Sequence, residues 1–296
     1  IRDYLQAGPR GNGYDGCIVH DLRYGGISAP VWAPRLRVPK VLFFHGRDAF
    51  LQDRRNAAMA APYVARALDV FDKAILVGSP LHEYADSIGV PREKRVVLGN
   101  GTRLPSEVED SSGEMNRAKV LLSVGNLTLV KGQDDNIKAL ARLRDRHGIT
   151  DWQYRIVGDG PERGRLERMV REQGMEGQVR FLGRLGRQET LAEMAACDLF
   201  TLPSWGEAFG IVYLEAMARM RPVIGCQGAG AADIITHDQD GLLVPPRAPE
   251  ALARAMKRLW EEPDGMLGMG RQGRVTAERF SWEANAKALV ALMERA

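Results

Sequence analysis

Apolar positions along the chain fall into short runs separated by longer amphipathic stretches. In the first third, the runs YDGCIVHD, PKVLFFHG, KAILVGS and KRVVLGNG are each bounded by Gly, Pro or charge, as short buried strands are. Between the second and third lies an Ala-rich helical pattern from about Asp53 to Phe71. The polar stretch LPSEVEDSSGEMNRA, 104–118, has no periodicity and reads as a linker. Beyond it, KVLLSVGN, WQYRIVGDG, QVRFLG, DLFTLPS, PVIGCQG and GLLVPP are six further strand candidates. Helical patterns over 133–146, 161–173, 187–196 and 209–219 separate most of them, and helices near 249–260 and 282–295 close the chain. Such alternation predicts α/β architecture, with parallel sheets covered by helices in two doubly wound, Rossmann-like domains. No repeat of fixed period appears, which excludes a solenoid. The expected organisation is a first domain over 1–105, a second over 106–280, and a terminal helix over 281–296 that packs back towards the first.

Composition narrows the function classes. With 296 residues, 45% of them hydrophobic, the chain can bury the cores of about two domains. No run approaches the roughly 18 apolar residues of a membrane span. The polar, glycine-rich start carries no signal peptide, although it begins at Ile1 rather than Met. Cys17, Cys197 and Cys226 are odd in number and far apart. They read as reduced thiols in a cytoplasmic protein, not as a disulfide framework or metal site. The net charge of +3 is too small to imply nucleic acid; it divides into +5 over residues 1–105 and −2 over the rest. A basic first half leaves peripheral contact with a membrane or an anionic acceptor open, against the commoner reading of a solvated face.

The glycine clusters come close to dinucleotide fingerprints and fail. Gly158, Gly160 and Gly164 are spaced one residue too long for G-x-G-x-x-G, and Gly225, Gly228 and Gly230 fail as well. They are tight βα turns rather than evidence for a nicotinamide cofactor. The stretch SWGEAFGIVYLEAMA, 204–218, is more informative: Glu207 and Glu215 stand with seven residues between them, around a Phe-Gly pair. The turn follows a strand candidate and opens a helix, so its amides suit a phosphate. A carboxylate on either side could accept hydrogen bonds from hydroxyls. Phosphate between two polyol-binding acids is what a nucleotide-sugar requires.

Here the residues resemble a family. LPSWGEAFGIVYLEAMARMRPVI is similar to the motif of retaining glycosyltransferases of GT-B fold. SVGNLTLVKGQDDNIKALARL, RIVGDGP, VRFLGRLGRQETLAEMAACDLFTLPS and GLLVPPRAPEALARAM agree with it in order, and the likeness extends over roughly 40–296. The resemblance implies two Rossmann-like domains facing a cleft, the first on the acceptor side and the second binding the donor. It implies that Glu207 binds hydroxyls of the transferred sugar, and that the amides of Phe209, Gly210 and Ile211 hold sugar and phosphate. Glu215 would bind the nucleotide ribose, and Lys131 would neutralise the departing diphosphate. His45 matches a histidine near the sugar, and the base would stack near Gly158, Gly183 and Arg184. The donor would be a UDP- or GDP-hexose, with no cofactor and no metal, and the acceptor a glycan, a lipid or a small molecule.

Three departures qualify the expectation. Relatives carry Arg at the diphosphate where this chain has Asn126, leaving Arg47, Arg103 or Arg184 to compensate. Met220 stands where relatives have glycine. The first domain lacks the opening strands and glycine-rich loop of relatives, which reads as an incomplete domain. The alternatives are therefore a donor-binding module without turnover and a sugar-nucleotide epimerase of the same fold; a dehydrogenase ranks below both.

Overall fold

The structure is a computed structural model that describes residues 13–46, 54–106 and 119–295. The linker reading lies, from 107 to 118, outside the described residues, as does Arg47. The chain forms two compact units, one of residues 1–100 with 283–296, the other of residues 101–282.

The first unit is built on four parallel strands in the order β1-β2-β3-β4: β1 (Cys17–His20), β2 (Lys40–Phe44), β3 (Lys73–Leu76) and β4 (Arg95–Val97). The apolar runs of the central strands β2 and β3 are continuous rather than alternating, as in a parallel sheet covered on both faces, whereas Ile18 of β1 and Val97 of β4 are exposed. Val41, Leu42, Phe43 and Phe44 of β2 are all buried. The connections include α1 (Ala29–Trp32), α2 (Arg54–Asp69) and α3 (Leu81–Ser87).

The second unit holds six parallel strands in the order β10-β9-β8-β5-β6-β7. These are β5 (Lys119–Val124), β6 (Trp152–Val157), β7 (Val179–Gly183), β8 (Leu199–Thr201), β9 (Val223–Cys226) and β10 (Leu242–Val244). The helices are α4 (Gln133–His147), α5 (Arg163–Glu172), α6 (Arg187–Ala196), α7 (Ile211–Met217), α8 (Pro249–Glu261) and α9 (Pro263–Arg279). A last helix, α10 (Trp282–Met293), begins at the boundary between the units. From β5 the chain winds outward through β6 and β7, then returns to the other side of β5 and winds through β8, β9 and β10. The order of strands therefore reverses between β5 and β8, paired at Leu121–Leu199 and Leu122–Phe200. At such a switch point the loops leave the carboxyl ends in opposite directions and open a crevice.

A buried polar network holds the two switch strands together. Asn136 of α4, fully buried, donates from Nδ2 to the Tyr154 hydroxyl at 2.9 Å, to Ser123 Oγ at 3.1 Å and to the Thr201 carbonyl at 3.2 Å. Thr201 Oγ1 donates back to Asn136 Oδ1 at 2.8 Å. One amide thus fastens the ends of β5, β6 and β8 to the helix above them. Around it, Leu121, Ile137, Leu140, Leu143, Ile156 and Leu252 form a dry core, into which α4 and α8 pack. Burial of each such side chain contributes about 1.5–3 kcal/mol.

Candidate functional site

Two turns leave the switch point, and each presents one charged side chain. The turn after β5 ends in Val130, Lys131 and Gly132; the turn after β8 runs through Ser204, Trp205, Gly206 and Glu207. The turns interlock through the backbone. The carbonyl of Val130 accepts from Ser204 Oγ at 3.1 Å and from the Trp205 amide at 3.0 Å. Two glycines permit this approach. Gly132 has φ +71°, and a Cβ on it would lie 2.6 Å from the Pro203 carbonyl oxygen; one on Gly206 would lie 2.9 Å from Val130 Cβ. The Glu207 carbonyl also accepts from the Gly230 amide at 2.9 Å. So positioned, the Lys131 ammonium and the Glu207 carboxylate form an ion pair, with side chains 20% and 17% exposed. A charge-assisted bond of this kind, partly withdrawn from water, is stronger than a surface pair.

Glu215 lies five residues into α7, nearer the helix start than the 209–219 pattern suggests. The helix opens at Ile211 because Gly210, at φ +98° and ψ +62°, is left-handed; a Cβ there would also lie 2.5 Å from the Tyr213 ring. Glu215 is buried, yet its carboxylate has a charged partner: Arg187 Nη1 donates to Oε1 at 3.0 Å. Arg219 Nη1 donates to the Glu215 carbonyl at 2.8 Å. Burial lowers the Arg219 pKa; the Glu215 carboxylate opposes this, while Arg187, Arg221 and Arg274 reinforce it. The surroundings of Glu215 are therefore rich in positive charge.

The remaining expected residues distribute as follows. Phe209 is buried, its ring 5.8 Å from that of Phe280. Asn126 and Arg184 are exposed on the turns after β5 and β7. Gly158, at φ +132°, lies so close to Gly125 that a Cβ would overlap its carbonyl, and Gly160 crowds Leu127 in the same way. These two glycines are thus required for adjacent strand-end turns to pack back to back. Trp205 carries the Arg247 guanidinium 4.7 Å from its ring centre, a cation–π contact. Lys131, Glu207, Phe209, Gly210, Ile211 and Glu215 all belong to the carboxyl edge of the second unit's sheet; His45 belongs to the first unit.

At His45 the structure adds a partner. His20, exposed at the end of β1, shares a hydrogen bond through Nδ1 with His45 Nε2 at 2.8 Å, and the rings stack with centroids 5.0 Å apart. The two residues end adjacent parallel strands, β1 and β2, so their side chains meet. The signal was present in CIVHD and LFFHG, two strand candidates that each close on a histidine. Burial, then the neighbouring His20, hold the His45 pKa below its usual range, against the attraction of Asp21. Arg187 was likewise not singled out, because its partner lies 28 positions on, in the next helix.

Comparison with known proteins follows from this geometry. The family model for glycosyl transferases group 1 matches residues 106–276. A D-inositol 3-phosphate glycosyltransferase of Corynebacterium jeikeium is 34% identical over 183 residues, covering 60% of this chain and 44% of its own. An uncharacterized glycosyltransferase of Methanocaldococcus jannaschii is 26% identical over 84% of this chain and 66% of its own. The chain thus spans between about two fifths and two thirds of the length of these curated relatives. Among solved structures, the Anabaena protein HepE in complex with UDP superposes with a TM-score of 0.79 at 20% identity, covering 100% of this chain and 80% of that one. Sucrose-phosphate synthase of Thermosynechococcus elongatus gives 0.74 at 23% identity, over 99% and 76%. At these identities the likeness establishes the fold, α/β of GT-B type with Rossmann-like sheets.

Proposed function

Because the chain belongs to the glycosyl transferases group 1 family, we propose that it transfers a hexose, with retention at the anomeric carbon, from a nucleoside-diphosphate sugar to a glycan, lipid or small-molecule acceptor. The observation that carries the reading is the Lys131–Glu207 pair at the switch point, with Glu215 on the following helix. Lys131 stands for the diphosphate, Glu207 for the sugar hydroxyls, Glu215 for the ribose diol, and the 209–211 backbone for sugar and phosphate between them. Similar structures hold UDP, and one holds UDP with glucose, which makes UDP-glucose the first donor to try. In this reading Asn126 belongs to the phosphate side, and Gly158 and Arg184 to the base.

In the proposed reaction the C1–O bond to the diphosphate breaks as the acceptor oxygen attacks the same face of C1. The acceptor proton passes to the departing phosphate oxygen, and Lys131 offsets the growing negative charge. Electrostatic stabilisation of this kind acts most where charge develops. No metal or cofactor enters this scheme. The three free cysteines, two of them buried, suit a reducing compartment and so a cytoplasmic place. The basic first hundred residues suit a peripheral contact with the membrane. Among the described residues no helix is long and apolar enough to cross one.

The pairing of Lys131 with Glu207 gives the reading a specific test. Each is the other's partner until a donor arrives, so the diphosphate competes with Glu207 for Lys131. Glu207→Gln should abolish transfer and yet bind UDP several-fold more tightly than the parent. Lys131→Ala should lose both transfer and UDP affinity. A thermal-shift panel of UDP, GDP, ADP, their sugar conjugates and NAD identifies the base; ligand at 100 times its Kd should add about 2.7 kcal/mol. A flat panel would remove the donor reading. Normal turnover in either variant would remove the site assignment.

A further inference from the structure

We propose that Arg187 is a positioning residue of the donor site, acting through Glu215 to fix how the ribose is recognised. The inference rests on the donor reading of Glu215 and extends it to a residue outside the 204–218 motif. Glu215 carries a buried carboxylate, and an ionised carboxylate withdrawn from water needs a charged or hydrogen-bonded partner. Arg187 supplies it across two elements, from the first residue of α6 to the second turn of α7, at 3.0 Å on Oε1.

The placement of this arginine is unusual for its element. A helix start favours acids over cations, since the macrodipole is positive there. The start of α6 is already capped without it, because the Glu189 carboxylate accepts from the Gly186 amide at 2.8 Å. Arg187 therefore contributes nothing to its own helix that explains the residue type. Its side chain is 62% exposed while that of Glu215 is 10% exposed, so the guanidinium covers the carboxylate from the solvent side. Held on Oε1, the carboxylate keeps one rotamer, and Oε2 is left to accept from vicinal hydroxyls. Arg219 fixes the same residue through its backbone carbonyl at 2.8 Å, so carboxylate and main chain are both constrained. A ligand with a cis-diol beside an anion suits this arrangement; one lacking the diol gains nothing from it.

The experiment is a binding cycle on the full chain. Titrate UDP, GDP and ADP, and their 2′,3′-dideoxy counterparts, into the parent protein, Arg187→Gln, Glu215→Gln and the double variant. A hydrogen bond to a charged group is worth about 1.5–3 kcal/mol, so Arg187→Gln should weaken the tightest-binding ribonucleotide roughly ten- to hundredfold and leave its dideoxy form unchanged. Glu215→Gln should do the same, and the double variant should lose no more than either single one. Arg187→Lys should restore part of the discrimination. Equal loss for ribo and dideoxy forms would place Arg187 on the diphosphate or base and overturn the proposal. So would an unchanged ribonucleotide affinity, or a parent protein that does not distinguish the two forms. If the parent binds none of the three diphosphates, the donor reading itself fails, and this inference with it. Arg187→Gln leaves the buried Glu215 carboxylate without its charged partner, so its melting temperature should fall; a general loss of stability would weaken ribo and dideoxy forms alike, and the difference between them therefore carries the test.

Discussion

At the scale of single residues, the motif made part of the site legible and left its partners hidden. Glu207, Glu215 and Lys131 could be singled out as candidates because their spacing and neighbours repeat a known order. Arg187 could not, since what makes it relevant is a partner 28 positions away in sequence, and His20 showed only as the histidine that closes a strand candidate. Met220 was legible in a different way, as a residue type at odds with its place. The structure puts it at φ +57°, left-handed, and explains why. Its amide bonds the Met217 carbonyl at 2.9 Å, while the Arg221 amide bonds that of Ala216 at 3.1 Å. This is a Schellman end to α7, with Met220 at the position that favours glycine. The left-handed conformation costs a non-glycine residue about 1–2 kcal/mol. Glycine would relieve that cost but give back about 0.5–1 kcal/mol through greater freedom in the unfolded chain. Met220→Gly should therefore raise stability by roughly 0.5–1 kcal/mol, a gain of about 2–3 °C in Tm. A lower melting temperature would mean that packing of the Met220 side chain outweighs the backbone strain.

At the scale of elements, the ten strand candidates all appear as strands, because each is a short apolar run, or an alternating one as in WQYRIV, between turn residues. Helix ends were read less well. The 209–219 pattern shortens to 211–217 because Gly210 and Met220 are both left-handed, and hydrophobic spacing carries no information about the sign of φ. Periodicity also said nothing of the Asn136 network, since a buried amide in an apolar helix face looks like an interruption of the pattern. Its partners come from three strands, Ser123 on β5, Tyr154 on β6 and Thr201 on β8. In Asn136→Ala, Ser123 Oγ still pairs with the Tyr154 hydroxyl at 2.8 Å and with the Thr201 carbonyl, so Thr201 Oγ1 is the group left without its partner. One unsatisfied buried group costs about 1–3 kcal/mol, the loss expected in denaturant unfolding. A loss below about 0.5 kcal/mol would show that the strands are fastened by their ladders alone. Because β5 and β8 carry the Lys131 and Glu207 turns, the same variant should weaken UDP binding along with stability.

At the scale of the whole molecule, the strand order explains why chemistry written over 85 residues of sequence converges. Lys131 and Glu207 are far apart in the chain but follow the two neighbouring strands at which the second unit reverses direction. Alternation predicted the parallel sheet; the position of the reversal became visible only once the strands were ordered. The second unit also closes on itself. Where the chain enters, the Thr102 amide bonds the Phe280 carbonyl at 2.7 Å; where it leaves, the Trp282 amide bonds the Thr102 carbonyl at 3.2 Å. Gly101 lies under Trp282, and a Cβ on it would come within 2.6 Å of the indole. Arg274 of α9 ties the entering segment further, through Pro105, to the Ala218 carbonyl at 2.7 Å. Entry and exit are thus adjacent, and separation at 100/101 and 282/283 removes no strand from the six-stranded sheet. A fragment of 101–282, within the size range of single domains, should fold alone and unfold within a few degrees of the full chain. Since both carboxylates and their cations lie inside it, it should bind UDP with the affinity of the full chain while transferring no sugar. A fragment that folds but binds UDP at least tenfold more weakly would mean that residues of the first unit, His45 foremost, take part in holding the nucleotide. In that event the donor site extends beyond the one sheet to which its sequence motif belongs.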